Sequence, residues 1–419
     1  MLSAKQYIDL IEAERATIDR HSAGLLTALR GSAIEELKAQ GLPTRKSERW
    51  LYTDAGKFFA PNYGINLRQR PLSYTLPSTV QEGEVVMVND RLDPGSHKSE
   101  EGVLVGDFGR AERELPQVAA RHLGRLAKGD GVAALGSALA QEGLFVYVAP
   151  GVKTAHPLQV QAYTAGPDSL LVARRGLIVV GEGARLNLTL RDSSDAGHEW
   201  LTLSTTEIVV EQGAQLTLNM LSETGHTLVD NLYIEQSAGS RVQIYSFTLR
   251  SALTRREINH RFAGEGARLR LQGVVAAGGT EHVDQNLLID HARDNCESDV
   301  LYKYVLDGDA VGAFAGRVLV REEAAGTVSA LRNANLSVSP RARVYAQPML
   351  EIYADDVKCS HGSTVGQLDE AALFYMNQRG IEPEVAQQLL KQAFLSEVIN
   401  KLPLSPLRNH VCELCNLCS

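Results

Sequence analysis

A cysteine and a histidine near the C-terminal end are the residues whose types and spacing best suit metal chemistry. Cys359 and His361 lie two residues apart, so in a β-strand their side chains share one face, together with Asp355 and Val357. A thiolate beside an imidazole suits soft or borderline transition metals, including iron–sulfur species. Lys358 would point to the opposite face, so we do not expect it to lower the pKa of the thiol. Because two ligands leave such a metal incompletely coordinated, the pattern predicts that another molecule supplies the rest.

Three further thiols form a second candidate metal site in the tail of the chain. Cys412, Cys415 and Cys418 repeat every three residues, which resembles part of a bacterial ferredoxin-type cluster motif. That motif needs a fourth cysteine, so His410 or another chain would have to supply the remaining ligand. The alternative is a reactive tail that holds no metal.

A third group of polar residues precedes this region. His282 and Asp284 share a face if their segment is a strand, and His291 and Cys296 follow downstream. They could form a second metal site or a general acid–base pair. We favour the structural alternative, in which these residues belong to a polar network along neighbouring strands.

Composition narrows the class of protein. The 419 residues include 42 basic and 50 acidic side chains, for a net charge of −8, and no basic block suggests a nucleic-acid partner. Five cysteines fit no secreted disulfide framework, the first ten residues lack the apolar core of a signal peptide, and no apolar run is long enough to span a membrane. We therefore expect a cytoplasmic chain. We find no phosphate-binding loop of the GxxxxGK[ST] type in the sequence. We therefore do not expect the chain itself to hydrolyse ATP.

Short β-type runs recur from about residue 143 to residue 350. A four-residue pattern recurs in this region: a glycine, a small residue, a polar residue and an apolar residue. Its glycines are Gly183, Gly213, Gly239 and Gly266, which lie 30, 26 and 27 residues apart. Such a period is typical of a solenoid whose turns close at equivalent corners, where glycine accepts positive φ. Because no helical pattern separates the runs, a βαβ sheet is disfavoured, while a β-sandwich stays as the alternative.

The flanking regions have helical patterns. We predict an N-terminal helical and mixed region over 1–142, the β core over 143–367, a helical domain over 368–405 and a cysteine-rich tail over 406–419. Gly31 is expected to end one N-terminal helix and Ser32 to begin the next, whereas Asp369 and Pro383 are expected to begin the two C-terminal helices. The apolar face of the second C-terminal helix predicts either packing on the β core or a partner-facing surface.

Three sequence blocks resemble the SufB/SufD family of iron–sulfur cluster assembly scaffolds: Glu351–Glu370, Leu42–Thr53 and Ile289–Lys303. The length is nearer that of the SufD branch than of the longer SufB branch. The resemblance implies a mainly β fold, a right-handed parallel β-helix flanked by N-terminal and C-terminal helical regions. It also implies a non-enzymatic scaffold subunit that pairs with a SufB-like chain and binds the SufC ATPase through its C-terminal helices. Cys359 and His361 would then contribute to a transient iron–sulfur cluster or to iron acquisition, and the isolated chain could pair with itself.

Two features depart from the family pattern. The cysteine-rich tail is not part of it, and Leu331 and Ala334 stand where family members usually carry a glutamine and an arginine. Two other functions remain as alternatives: a β-helix carbohydrate-active enzyme and a thiol enzyme with a cysteine–histidine couple. The first needs paired carboxylates, and Asp355 and Asp356 are neighbours that would point to opposite faces. The second needs an orienting third group, which the sequence does not suggest.

Overall fold

The computed structural model describes residues 4–44, 46–59, 61, 63–65, 84–93, 101–166, 168–195 and 199–415. Its core is a parallel β-solenoid of about seven turns with helices on its N-terminal and C-terminal sides, so the predicted mainly β solenoid is confirmed. Among the described residues, no helix combines the length and the apolar character that crossing a lipid bilayer would require.

Two sheets form the walls of the solenoid. The strands are β1 (Gly64–Ile65), β2 (Val85–Val88), β3 (Arg91–Leu92), β4 (Val103–Gly106), β5 (Gly143–Val148), β6 (Leu158–Thr164), β7 (Leu170–Val180), β8 (Arg185–Ser194), β9 (Leu201–Val210), β10 (Gln215–Glu223), β11 (Thr227–Gln236), β12 (Arg241–Leu249), β13 (Leu253–Phe262), β14 (Arg268–Ala277), β15 (His282–His291), β16 (Glu297–Leu306), β17 (Val311–Val320), β18 (Thr327–Ser337), β19 (Arg343–Ile352) and β20 (Val357–Gln367).

From β5 onward, successive strands alternate between the two sheets. Sheet 1 has the order β19-β17-β15-β13-β11-β9-β7-β5-β4, with β1 also beside β7, and sheet 2 has the order β20-β18-β16-β14-β12-β10-β8-β6-β2-β3. Each turn of the chain thus adds one parallel strand to each sheet. The sheets also take in β2 to β4 from the N-terminal region, through pairs of β2 with β6 and of β4 with β5.

Equivalent residues of successive turns stack in register and build the interior. Leu186, Leu216, Val242 and Leu269 form one such inward column in sheet 2, and all four are buried. Burial of such side chains is the main favourable contribution to folding, at roughly 25 cal/mol per Å² of apolar surface. The hydrogen-bonded register of a sheet therefore also determines which side chains pack against each other in the core.

The predicted corner glycines have the predicted backbone conformation. Gly183, Gly213, Gly239 and Gly266 have φ values of 63°, 65°, 63° and 66°. An L-residue rarely adopts this conformation, which explains why glycine recurs at this corner. The next corner uses Asn295 instead, at a φ of 58°, and asparagine is one of the few other residues that accept it.

The N-terminal region is helical, with one correction to the prediction. Its helices are α1 (Ala4–Arg20), α2 (Gly24–Gln40), a 3-10 helix (Glu48–Trp50), α3 (Ala55–Phe59), α4 (Phe108–Glu114), α5 (Pro116–His122) and α6 (Gly131–Leu139). The predicted break at Gly31 and start at Ser32 are wrong, because α2 continues through both. The helix ends as expected before Gly41, whose φ is 67°.

The C-terminal helices are α7 (Glu370–Gln378), α8 (Pro383–Ile399) and α9 (Ser405–Leu414). The predicted start of α7 is confirmed, since the Asp369 side chain accepts hydrogen bonds from the backbone of Ala371 and Ala372. Pro383 occupies the first turn of α8, also as predicted. The second helix lies on the outer face of sheet 2, where Lys303 Nζ approaches Glu397 Oε2 at 2.7 Å.

A glycine inside the core provides a test of the stacking. Gly273 pairs in register with Tyr302, and a Cβ added to Gly273 would lie 2.1 Å from the tyrosine ring. We expect Gly273→Ala to lower the free energy of unfolding by about 1–3 kcal/mol, because overpacking displaces a buried ring. Urea unfolding would measure this loss. Gly278→Ala is the matched control, since an added Cβ there meets nothing within 4 Å, and an equal loss in both variants would contradict the account.

Candidate functional site

The last turn of the solenoid leaves both sheets with an open edge. In the part of the chain that the structure describes, β19 ends sheet 1 and pairs with β17, whereas β20 ends sheet 2 and pairs with β18. The outer N–H and C=O groups of such strands can pair with another chain. The predicted metal ligands lie on one of these two strands.

Cys359 and His361 lie on β20 and share the face predicted for them. Their partners in register are Ser329 and Leu331, and both partners are buried inside the solenoid. Cys359 is half-buried and packs against the main apolar core, whereas His361 is exposed. The pair therefore lies at the open end of the solenoid interior, where a molecule docked on the edge could reach it.

The surroundings of the thiol affect its protonation. Burial raises the pKa of the Cys359 thiol, and a backbone hydrogen bond from Ser329 partly offsets this effect. Lys358, which directly precedes Cys359 on β20, is exposed. A raised pKa is the opposite of what an activated thiol nucleophile needs, so this environment does not favour the thiol-enzyme alternative.

A line of hydrogen bonds extends from the position behind Cys359 into the core. Ser329 Oγ lies 2.8 Å from Ser298 Oγ, which in turn lies 2.9 Å from His291 Nε2. Burial lowers the pKa of His291 to about 4, so this imidazole is neutral at pH 7. The two serines occupy the same inward column as Cys359. The interior thus becomes polar in the turns next to the open end.

Asp355 and Leu331 lie near the candidate ligands, in sequence and in register respectively. Asp355 was expected on the face of Cys359, but this is wrong, because Asp355 lies in the corner before β20 begins at Val357. Leu331, one of the two departures from the family pattern, is buried directly beside His361 in register. Its apolar side chain can supply no additional ligand at this position.

His282 and Asp284 belong to a network that joins the N-terminal region to sheet 1. Thr53 Oγ1 lies 3.1 Å from His282 Nε2 and also donates to Asp284, which accepts from Arg255 as well. Burial lowers the pKa of His282, and the nearby Asp284 opposes this shift. Sequence reasoning had no signal for Thr53, which lies 229 residues before His282.

The other members of that group lie elsewhere. His291 and Cys296 are fully buried in the solenoid, and the Cys296 thiol donates to the carbonyl oxygens of Gly264 and Asp294. Within the described ranges, no three or more His, Cys, Asp or Glu side chains are grouped so that they could hold a metal ion.

The first part of the tail forms helix α9, which ends at Leu414 and is docked on sheet 2. Val411 of α9 is fully buried, and His410 Nε2 lies 3.1 Å from Glu223 Oε1 on sheet 2. Cys412 and Cys415 are half-buried and pack against the same apolar cluster. Cys418 lies outside the described residues. Glu223 engages the Nε2 atom of His410, so a metal at this histidine would have to bind Nδ1, and the tail metal site stays a prediction.

Comparisons with known proteins give the family. The SufBD core domain of SUF system FeS cluster assembly matches residues 163–394, and the SufBD protein N-terminal region matches residues 1–160. The chain is similar to the iron–sulfur cluster assembly protein SufD of Escherichia coli (strain K12), at 28% identity over 396 residues, which cover 90% of this chain and 89% of that protein.

Two further relatives carry the same family description. A SufBD family protein of Mycobacterium leprae is 30% identical over 318 residues, 70% of this chain and 78% of that protein. One of Synechocystis is 24% identical over 419 residues, 95% of this chain and 92% of that protein. The family matches span both the helical region and the solenoid that carries Cys359 and His361, and the chain therefore belongs to the SufB/SufD family of the SUF iron–sulfur cluster assembly system.

Proposed function

We propose that this chain is a non-enzymatic scaffold subunit of a complex that assembles iron–sulfur clusters. The observation that carries the proposal is an incomplete pair of ligands, Cys359 and His361, on a strand with an unpaired edge. A sulfur and a nitrogen ligand suit iron or an iron–sulfur cluster. Two protein ligands leave coordination positions on the iron that other ligands must fill. The metal is here the cargo of the protein, held transiently during assembly.

A SufB-like chain is the proposed source of the missing ligands. Such a chain would pair along β19 and β20, which end their sheets in the described part of the molecule. The eleven residues of β20 contain no proline, so each backbone N–H that points away from β18 can bond to a partner strand, whereas β19 carries Pro348, which has no N–H. A second copy of this chain could occupy the same edge when the SufB-like chain is absent, because an edge of this kind is self-complementary.

The C-terminal helices are the proposed contact for a SufC ATPase. The apolar residues of α8 divide between two surfaces: Leu395 and Val398 are buried against the solenoid, whereas Val385 is half-exposed. Helix α7 has no buried residue, and Phe374 and Tyr375 are 65% and 59% exposed. Packing on the β core thus accounts for one side of the apolar face of α8, and Val385 together with the aromatic residues of α7 supports a partner-facing surface on the other side. Exposed apolar groups of this size are typical of contact sites.

Binding of the metal would release the thiol proton. The raised pKa means that Cys359 holds its proton in the isolated chain near neutral pH. A metal ligates the thiolate, so binding is coupled to proton release and becomes stronger as the pH rises. We expect the site to bind metal weakly until the partner supplies its own ligands.

Substitution of the two ligands tests the proposal. We expect Cys359→Ala to fold normally but to lose cluster assembly in the reconstituted complex, and His361→Ala to show a similar, milder defect. Removal of groups that only orient a ligand lowers metal affinity or activity roughly 10- to 100-fold. Loss of a direct ligand should lower them at least as much. Iron and sulfide bound after anaerobic reconstitution would be measured.

Ser360→Ala is the matched control for these variants, since Ser360 is an exposed residue between the two ligands. Assembly at the normal level by both Cys359→Ala and His361→Ala would remove the site assignment, even if the complex itself formed.

A bulky charge on the free edge tests the pairing separately. Gly362 lies on β20, and an added Cβ there meets nothing within 4 Å. We expect Gly362→Lys to leave the stability of the isolated chain unchanged but to block association with the SufB-like chain, because it adds a second positive charge, after Lys358, to the outer face of the edge strand. Gly31→Lys on α2, where an added Cβ is equally unobstructed, is the control. Normal co-purification of Gly362→Lys with the partner would exclude pairing at this edge.

The pH dependence of alkylation tests the state of the thiol. Near pH 7, Cys359 of the folded, isolated chain should react more slowly with iodoacetamide than in the urea-unfolded chain, because its raised pKa leaves less thiolate. Its rate should still be rising above pH 8.5, the ordinary pKa of a cysteine. Peptide mass spectrometry would resolve Cys359 from the other thiols. Identical curves for the folded and unfolded chains would contradict the assignment.

A further inference from the structure

The family-like block near residue 50 is fixed to the outer face of sheet 1. Arg49 Nη2 lies 3.0 Å from Glu257 Oε2, and the Arg255 guanidinium lies 4.2 Å from the centre of the Trp50 ring. Thr53 completes the attachment through its hydrogen bonds to His282 and Asp284. We call residues 49–53 the brace. A cation–π contact and buried charged groups hold it in a single position.

The brace reaches the last strand of the sheet. The ring of Tyr52 stacks on the ring of Tyr345 at a centroid distance of 4.6 Å and an interplanar angle of 13°. Tyr345 belongs to β19, beyond which sheet 1 has no further strand in the described part of the chain. The brace thus extends over the sheet as far as its open edge.

One apolar residue of the brace is exposed at this place. Leu51 is 58% exposed, although Trp50 before it is 7% exposed and Thr53 after it is 2% exposed. A single exposed leucine needs no explanation on an ordinary surface. Leu51 differs because its neighbours on both sides are fixed and because Tyr52 beside it covers the edge strand. The buried neighbours Trp50 and Thr53 thus hold the backbone of an exposed leucine against the sheet.

We infer that the brace is part of the surface that the second β-solenoid chain contacts, with Leu51 and Tyr52 packing on the outer face of the strand that continues sheet 1 beyond β19. The inference rests on the proposed pairing with a SufB-like chain. It assigns to the block a role in partner contact in addition to its attachment of the N-terminal region.

The spacing of a sheet supports this occupant. A strand paired with β19 would lie about 4.8 Å from it, next to the strand on which Tyr345 and the stacked Tyr52 lie. The partner residues that meet them would be apolar or aromatic side chains on the outer face of that strand, because cross-strand pairs of these types are favourable. The contact would add a side-chain interface to the backbone pairing of the edge.

Substitution of Leu51 tests the inference. The full chain carrying Leu51→Asp would be titrated with the SufB-family chain of the same organism, and the dissociation constant would be measured by sedimentation velocity. We expect about tenfold weaker association, since a buried charge replaces a buried leucine. Leu10→Asp on α1 is the matched control, because Leu10 is also an exposed leucine of the N-terminal region, and it should associate as the unchanged chain does.

A second measurement does not depend on any substitution. Hydrogen exchange at the backbone amides of Leu51 and Tyr52 should slow at least several-fold on association, while exchange in α1 should stay unchanged. Unchanged affinity of Leu51→Asp, or unchanged exchange in the brace, would overturn the inference. If Gly362→Lys still blocked association in that case, the proposed edge pairing would stand. Failure of the unchanged chain to associate at all would overturn both.

Discussion

Parallel stacking in register is the constraint on which the rest of this structure depends. Each strand satisfies its backbone groups on the preceding and following turns, so every turn needs the next one for its hydrogen bonds. The last turn, formed by β19 and β20, has no such neighbour in the described part of the chain. The fold therefore leaves backbone donors and acceptors available at the end formed by β19 and β20, and Cys359 and His361 lie at this end.

The helical regions cover the outer faces of the sheets and leave this edge open. The N-terminal region is fixed on sheet 1 through a carboxylate that a buried ion pair within the sheet holds in place: Arg175 Nη2 lies 2.7 Å from Glu207 Oε2, and both side chains are fully buried. Glu207 also accepts hydrogen bonds from the backbone of Gly124 and Leu126. Such pairs contribute little net stability, but loss of one partner leaves an uncompensated charge, so they specify where the region docks. The C-terminal helices are fixed on sheet 2 by Lys303 and by apolar packing.

Local patterns in the sequence predicted what depends on local geometry. The corner glycines gave the period of the solenoid, and the spacing of Cys359 and His361 gave their common face, since side-chain direction alternates within any strand. The break at Gly31 was wrong because α2 buries Leu26 and Ile34 on either side of it, and this burial outweighs the cost of about 1 kcal/mol for a glycine in a helix. Contacts between distant segments, such as that of Thr53 with His282, carry no local signal and could not be predicted.

The column arrangement of the interior has a consequence for how the length of such a chain can change. A whole additional turn could be inserted between two existing ones, and it would find matching columns above and below. The insertion of one residue within a strand would instead reverse the inward and outward side chains that follow it. Related chains would therefore differ in length by complete turns or at the corners. The turn that carries the sulfur and nitrogen ligands would remain the last turn of the solenoid.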